Sequence, residues 1–186
     1  MYLVIDIMLL IKKQEILMEK TLILLKPDAL QRGLTGEIIS RFEKVGLKIV
    51  AAKMTHPSDD HYYHHYETIG KMVSRRGKPA FDVTKDYMQI SPVLAIVLEG
   101  IEAVSIVRKM IGATEPKAAQ PGTIRGDYSH ISFDFANSKG VTVPNLIHAS
   151  GDPEEAKLEI KHWFKDDEIF DYETVHEKFT FMGHKK

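Results

Sequence analysis

Cysteine is absent from the 186-residue chain, which excludes a disulfide framework, a thiolate nucleophile and a cysteine-built zinc site. The absence also fits a reducing compartment, so a cytoplasmic location is expected. Charge of one sign is lacking too: 25 Lys and Arg stand against 26 Asp and Glu, for a formal net charge of -1. Nothing in that balance drives the whole molecule toward nucleic acid or membrane, and neither is expected as a partner; an anion site would have to be local. No apolar run is long enough to span a bilayer. Residues 1–11 are interrupted by Asp6, and their lysines follow the apolar stretch instead of preceding it, unlike a signal peptide. Residues 1–17 therefore read as an N-terminal extension, either a segment that adds to a partner or the product of a start upstream of Met18. The two common phosphate loops, GxxxxGK[ST] and GxGxxG, are also missing.

What is present is a chain with 44% hydrophobic residues, enough for one core in one domain. Its pattern alternates between the strand and helix periods, which implies a mixed domain. Thr21 to Leu25 is a continuous apolar run, hence a buried strand. Gly36 to Val45 places Ile38, Ile39, Phe42 and Val45 on one helical face and stops at Gly46. Leu47 to Met54 reads as the second strand, Ser58 as the cap of a helix through HYYHHY, and Pro79 to Ile90 as another helix. Val93 to Leu98 is the third strand, and Ile101 to Ile111 a helix ending at Gly112. A long connection, Ala113 to about Pro144, leads to a short strand ending at Asn145, Leu146 and Ile147. Asp152 then caps a last helix, with Pro153 at its first position and Glu155 at its third. Four strands with helices on one face suit a ferredoxin-like split βαβ fold of the α+β class, with a four-stranded antiparallel sheet. A doubly wound parallel sheet is the alternative, weakened by the missing glycine-rich loop after the first strand.

Several residues could carry chemistry, each beside a plainer reading. His148 sits where an apolar strand meets a capped helix, as a buried structural histidine or as a group presented to solvent. Glu159 follows it by eleven positions; if the helix packs back on its strand, this carboxylate holds one ring nitrogen and leaves the other as a nucleophile. Lys26 ends the first strand in KPD, as a solvated edge residue or a point charge on a phosphate. In ATEPKAAQPGTIRGD, two turns flank Thr123 to Arg125 and would expose backbone N–H groups and one guanidinium to an anion. His61, His64 and His65 fall on one helical face, but the pattern lacks the glutamate of HExxH, and no protein-held metal is expected.

TLILLKPDALQRGLTGEIISRFEKVGLKIVAAKM, SPVLAIVLEGIEAVSIVRKMIGATEPKAAQPGTIRGD and NLIHAS together resemble the nucleoside diphosphate kinase family, over nearly everything from Met18 to about Phe170. That resemblance implies a ping-pong transfer in which His148 takes the γ-phosphate of a nucleoside triphosphate such as ATP and passes it to a nucleoside diphosphate. It implies phosphate and sugar contacts at Lys26, Tyr66, Arg108, Thr114, Arg125 and Asn145, and makes Glu159 the carboxylate that orients the histidine, with Ser150 beside it. Arg108 also has the plainer reading of a solvent-facing helix residue. Mg²⁺ would ride on the nucleotide phosphates, and a homo-hexamer or homo-tetramer is implied. The domain would run over 18–170, with insertions at about 67–78 and 128–144 relative to short family members and a C-terminal arm at 171–186. Ala80 falls where the family has a base-stacking phenylalanine, and Thr84 where it has a leucine; Phe81 would serve if the helix rotates. Gly151 stands in place of an acid, removing a polar support. A nucleotide-binding or assembly protein of the same fold with little turnover is the alternative.

Overall fold

The computed structural model describes residues 18–175 and 177–180; the expected extension at 1–17 and the end of the expected arm lie outside the described residues. Strand β1 (Met18–Leu25) leads through the short helix α1 (Pro27–Gln31) to α2 (Thr35–Lys44) and β2 (Lys48–Thr55). Helix α3 (Asp59–Tyr63) continues into a π turn over His64–Ile69, followed by α4 (Met72–Arg76) and α5 (Lys78–Met88). Strand β3 (Val93–Ile101) and α6 (Ala103–Ile111) come next, then α7 (Ile124–Tyr128) and α8 (Phe133–Lys139). The site is completed by β4 (Ile147–Ala149) and α9 (Pro153–Trp163).

The four strands pair in the order β2-β3-β1-β4, every neighbour antiparallel, which is the ferredoxin-like arrangement. The helices, however, cover both faces and not one. Leu22 and Leu24 of β1 pack with Tyr62, Phe81, Met88, Ile160 and Trp163, while Ile23 and Leu25 pack with Ile38, Phe42, Val107 and Ile111. Successive residues of a strand point to opposite faces, so a run that is apolar at every position, as in Leu22 to Leu25, is what a doubly covered strand requires. Among the described residues no helix is long and apolar enough to cross a membrane.

Local signals hold where they are strong. Ser58 Oγ accepts from the His61 N–H, and Asp152 Oδ1 accepts from the Glu155 N–H, so both expected caps form. The connection 113–144 is not structureless: it holds α7, α8 and a single 3-10 turn at Pro116–Ala118. Helix α8 is capped by Ser132 and closed by Gly140 at φ 62°. A seven-residue helix has too short an apolar period to separate from a turn-rich background.

Phe42 sits at the centre of the α2 face, 1% exposed. Phe42→Ala is expected to lower the unfolding free energy by about 3–5 kcal/mol, read from urea denaturation; a loss below about 1 kcal/mol would mean the α2 layer is not packed as described.

Candidate active site

The backbone before the histidine is tightly constrained. Leu146 is fully buried at φ 70°, and the Ile147 N–H bonds back to the Asn145 carbonyl at 2.8 Å, the three-residue turn that non-glycine residues rarely adopt. Its surroundings hold it there. Asp28 accepts from the Leu146 N–H at 3.0 Å, and the Lys26 N–H donates to the Leu146 carbonyl at 2.9 Å. Arg125, 3% exposed, donates through Nε, Nη1 and Nη2 to the carbonyls of Asn145, Gly112 and Ile147. This turn delivers His148 within β4; Asn145 and Leu146, expected as the end of that strand, form the turn before it, and the strand runs on to Ala149.

Helix α9 packs back against β1 and brings Glu159 to the imidazole. His148 Nε2 lies 2.8 Å from Glu159 Oε1, and the Ser150 hydroxyl donates to Oε2 at 2.6 Å. A neutral imidazole that donates through Nε2 carries its lone pair on Nδ1, which has no protein partner among the described residues. The His148 pKa is pushed well below its ordinary value by burial and by the charges of Lys26, Arg125 and Arg108, so the ring is unprotonated at neutral pH. Glu159, 1% exposed, is shifted upward by burial.

His148 opens on a cavity of about 550 Å³, whose lining includes Lys26, Tyr66, Arg108, Thr114, Arg125 and Asn145 as well as Glu159. Lys26 Nζ donates to Asn145 Oδ1 at 2.8 Å, and Asn145 Nδ2 donates to the Thr114 carbonyl at 2.9 Å. One of three ammonium donors and three of five guanidinium donors are used by the protein, leaving donors on both Lys26 and Arg125 for an anion. Burial and neighbouring Arg125 and Arg76 lower Lys26 to about 8; burial with Arg108 and Arg76 lowers Arg125 to about 10. Crowded, partly dehydrated cations of one sign are the electrostatic mark of an anion site. The Tyr66 hydroxyl is buried without a partner, and burial pushes its pKa up, so it stays a donor.

Phe81 does not join them. It is 5% exposed in the core, edge-on to Tyr63 at 5.7 Å, because α5 turns Ala80, Val83 and Thr84 toward the cavity instead. The three histidines do not share a face either. In the π turn, adjacent His65 and Tyr66 are both buried, while His64 is left outside. His61 and His64 instead stack on His162, at 3.8 and 4.4 Å.

The roles of several residues were missed from sequence. His65, 1% exposed, accepts the Trp163 indole N–H at 3.2 Å and lies edge-on to His148 at 4.6 Å. Arg76 offered no motif, and Asp28, the last residue of KPD, was given no role. Glu155 accepts the Gly151 N–H at 2.7 Å and lines the cavity. A carboxylate thus stands beside position 151 after all, and a side chain on Gly151 would require the flexible end of Glu155 to move aside. One ligand atom each from His65, His148 and Glu159 falls within 4.8 Å, but the His148–Glu159 pair is already hydrogen-bonded and His65 Nδ1 is taken. A hard divalent cation wants several oxygens, and the only carboxylates lining the cavity are Glu155 and Glu159, both engaged. The residues do not fit a protein-held hard cation.

Comparisons with known proteins place the chain among relatives of known kind. The family model described as nucleoside diphosphate kinase matches residues 19–169. The nucleoside diphosphate kinase of Borreliella burgdorferi is 47% identical over 156 residues, 84% of this chain and 93% of the relative. That of Pyrococcus abyssi is 48% identical over 165 residues, 89% of this chain and 96% of the relative. A structure of the Borrelia burgdorferi enzyme with bound vanadate and ADP, a transition-state mimic, superposes with a TM-score of 0.86 at 44% identity, covering 90% of this chain and 99% of that one. An NDP kinase structure from Pyrobaculum aerophilum gives 0.76 at 41% identity, covering 83% and 100%.

An anion in the cavity would restore the depressed Lys26 toward its ordinary value. Because the free group titrates near about 8, nucleoside diphosphate binding should take up protons at about pH 9 and almost none at about pH 6.5. Calorimetry in two buffers of different ionisation heat reads this directly. Lys26→Met should remove the uptake and weaken binding; uptake that persists in the variant would assign it elsewhere.

Proposed function

Because the chain belongs to the nucleoside diphosphate kinase family, we propose that its phosphotransfer runs through His148. The chain is an enzyme of that type, a phosphotransferase. The single observation that carries the residue assignment is the 2.8 Å contact of His148 Nε2 with buried Glu159, which leaves Nδ1 facing a cationic cavity. In the first half-reaction Nδ1 attacks the γ-phosphorus of a nucleoside triphosphate such as ATP. The N–P bond forms, the bond from phosphorus to the bridging oxygen breaks, and the nucleoside diphosphate leaves with the electron pair. In the second half a terminal oxygen of another nucleoside diphosphate takes the phosphoryl group and the lone pair returns to Nδ1. No proton need be removed from the nucleophile, since it is already neutral.

Lys26, Arg108 and Arg125 would hold the phosphates and neutralise charge as it spreads over the transferring group. Thr114 and Tyr66 would add neutral donors, and Asn145 would fix Lys26. Glu159 would stabilise the positive charge that appears on the ring as the N–P bond forms. Mg²⁺ enters as part of the nucleotide substrate, bound to phosphate oxygens. The vanadate and ADP bound by the Borrelia burgdorferi enzyme are the kind of ligands this arrangement would accept. Two further readings belong here. A homo-oligomer, hexamer or tetramer, is supported by β2 at the sheet edge with Met54 exposed; a cytoplasmic location, with nucleotide-pool maintenance as the role, is supported by the lack of cysteine.

Incubation with γ-labelled ATP and Mg²⁺ should give an acid-labile phosphoenzyme that a nucleoside diphosphate discharges. His148→Ala should abolish it; labelling that survives this change would move the carrier to another residue, and failure to label wild type would favour a nucleotide-binding protein with little turnover. Glu159→Gln should lower kcat by at least about tenfold with little change in KM. The lowered His148 pKa sets the acid limb: the labelling rate should stay flat as pH falls through about 6.5, where an ordinary histidine would protonate and lose its lone pair.

A further inference from the structure

The cavity lining extends beyond Lys26, Arg108 and Arg125 to segments that the family resemblance marks as insertions, Arg75 and Arg76 among them. Met72, Arg75 and Arg76 belong to 67–78; Phe133, Asn137 and Val141 belong to 128–144. A nucleoside needs a flat apolar surface for its base. On α5 the cavity meets only Ala80, Val83 and Thr84, and the nearest aromatic, Phe81, is sealed in the core. Tyr66 lies buried among the cationic groups near the histidine, which leaves Phe133 as the remaining benzenoid ring in the lining.

We infer that Phe133 is the surface on which the base rests, so that α8, and not α5, supplies the stacking contact. This rests on the phosphotransfer reading for what occupies the other end. Phe133 is half-buried at the first position of α8, and its placement is fixed: its N–H donates to Glu115 Oε1 at 2.7 Å, and Ser132 caps the helix. Glu115 follows Thr114 directly, so the platform is tied to the phosphate end through two adjacent residues. Arg76 links the two segments from the other side. Its guanidinium carbon lies over the Phe133 ring, 6.0 Å from the centroid, and its charge is felt at both Lys26 and Arg125, so one face of the ring carries a cation and the base would rest on the other. Thr84 and Thr142 hydroxyls meet at 3.2 Å and join the α5 wall to the return of the 128–144 segment.

The chemistry of this end sets its preference. Every base has a π face, so stacking on Phe133 with Met72 and Val141 nearby accepts purines and pyrimidines alike. Asn137 is the uncharged side chain of the α8 wall that could bond a base edge, and it is exposed, so it discriminates weakly. The ligand class is therefore any nucleoside di- or triphosphate, ranked by stacking strength.

The test compares Mg-ADP with inorganic tripolyphosphate, which occupies the cationic end without a base. Phe133→Ala should weaken ADP binding about tenfold and leave tripolyphosphate binding within about twofold. Phe133→Trp should retain ADP affinity and show fluorescence quenching by ADP but not by tripolyphosphate, against a wild-type background in which the single Trp163 is buried. Unchanged ADP binding in the alanine variant, an equal loss for both ligands, or no base-dependent quenching in the tryptophan variant would overturn the inference. Labelling of wild-type His148 by ATP reports separately on the phosphotransfer reading, so the two can fail independently.

Discussion

The hydrogen bond between His148 Nε2 and Glu159 Oε1 is the contact on which the rest of the site depends. It decides which ring nitrogen keeps a lone pair, and it exists only because three pieces of chain meet. The strained turn at Leu146 aims β4, the pairing of Leu24 with His148 fixes its register on β1, and Asp152 starts α9 so that Glu159, two turns in, reaches the ring. Buried Ser150 and Trp163, through His65, then leave the carboxylate and the ring little freedom to turn. A carboxylate this buried would otherwise be driven to take up a proton; bonds to both oxygens favour its charged form and oppose that drive.

The opposite wall is built on an opposing principle. Arg125 spends three donors on backbone carbonyls that hold the turn, so one side chain both braces the nucleophile and charges the cavity. Keeping Lys26 charged beside it costs roughly 3 kcal/mol in the nucleotide-free chain, from a lowering of 10.5 to about 8. Even so, at neutral pH the ammonium form still prevails. Phosphate oxygens would relieve that cost, which makes the unfavourable arrangement of cations a source of binding and, at the transferring group, of transition-state stabilisation.

Much of this was legible because the signals are local. The caps at Ser58 and Asp152, the amphipathic faces of α2 and α6 and the four strands follow from residue type and period. Lys26, Arg108, Arg125 and His148 were marked by motif resemblance, since no spacing rule links Lys26 to Asn145 across 119 positions, whereas Arg75, Arg76 and the part played by His65 in the cavity lining were not. What escaped was long-range or non-repeating. Helices on both faces were implied by the unbroken runs TLILL and VLAIVL, which a one-faced sheet would not need. The π turn that buries adjacent His65 and Tyr66 breaks the period on which helix reading depends, and the Leu146 turn carries no glycine to announce it. Phe81 was misplaced for a similar reason: its neighbour Ala80 faces the cavity, and on a helix one position of difference is the difference between pocket and core.

The central claim is that Glu159 holds Nε2 and thereby makes Nδ1 the phosphate carrier. It is tested most directly by identifying the phosphohistidine isomer, through alkaline hydrolysis of the phosphoenzyme and chromatography against the two standards. The geometry predicts the Nδ1-phosphorylated isomer alone, and recovery of Nε2-phosphohistidine as the main product would contradict it.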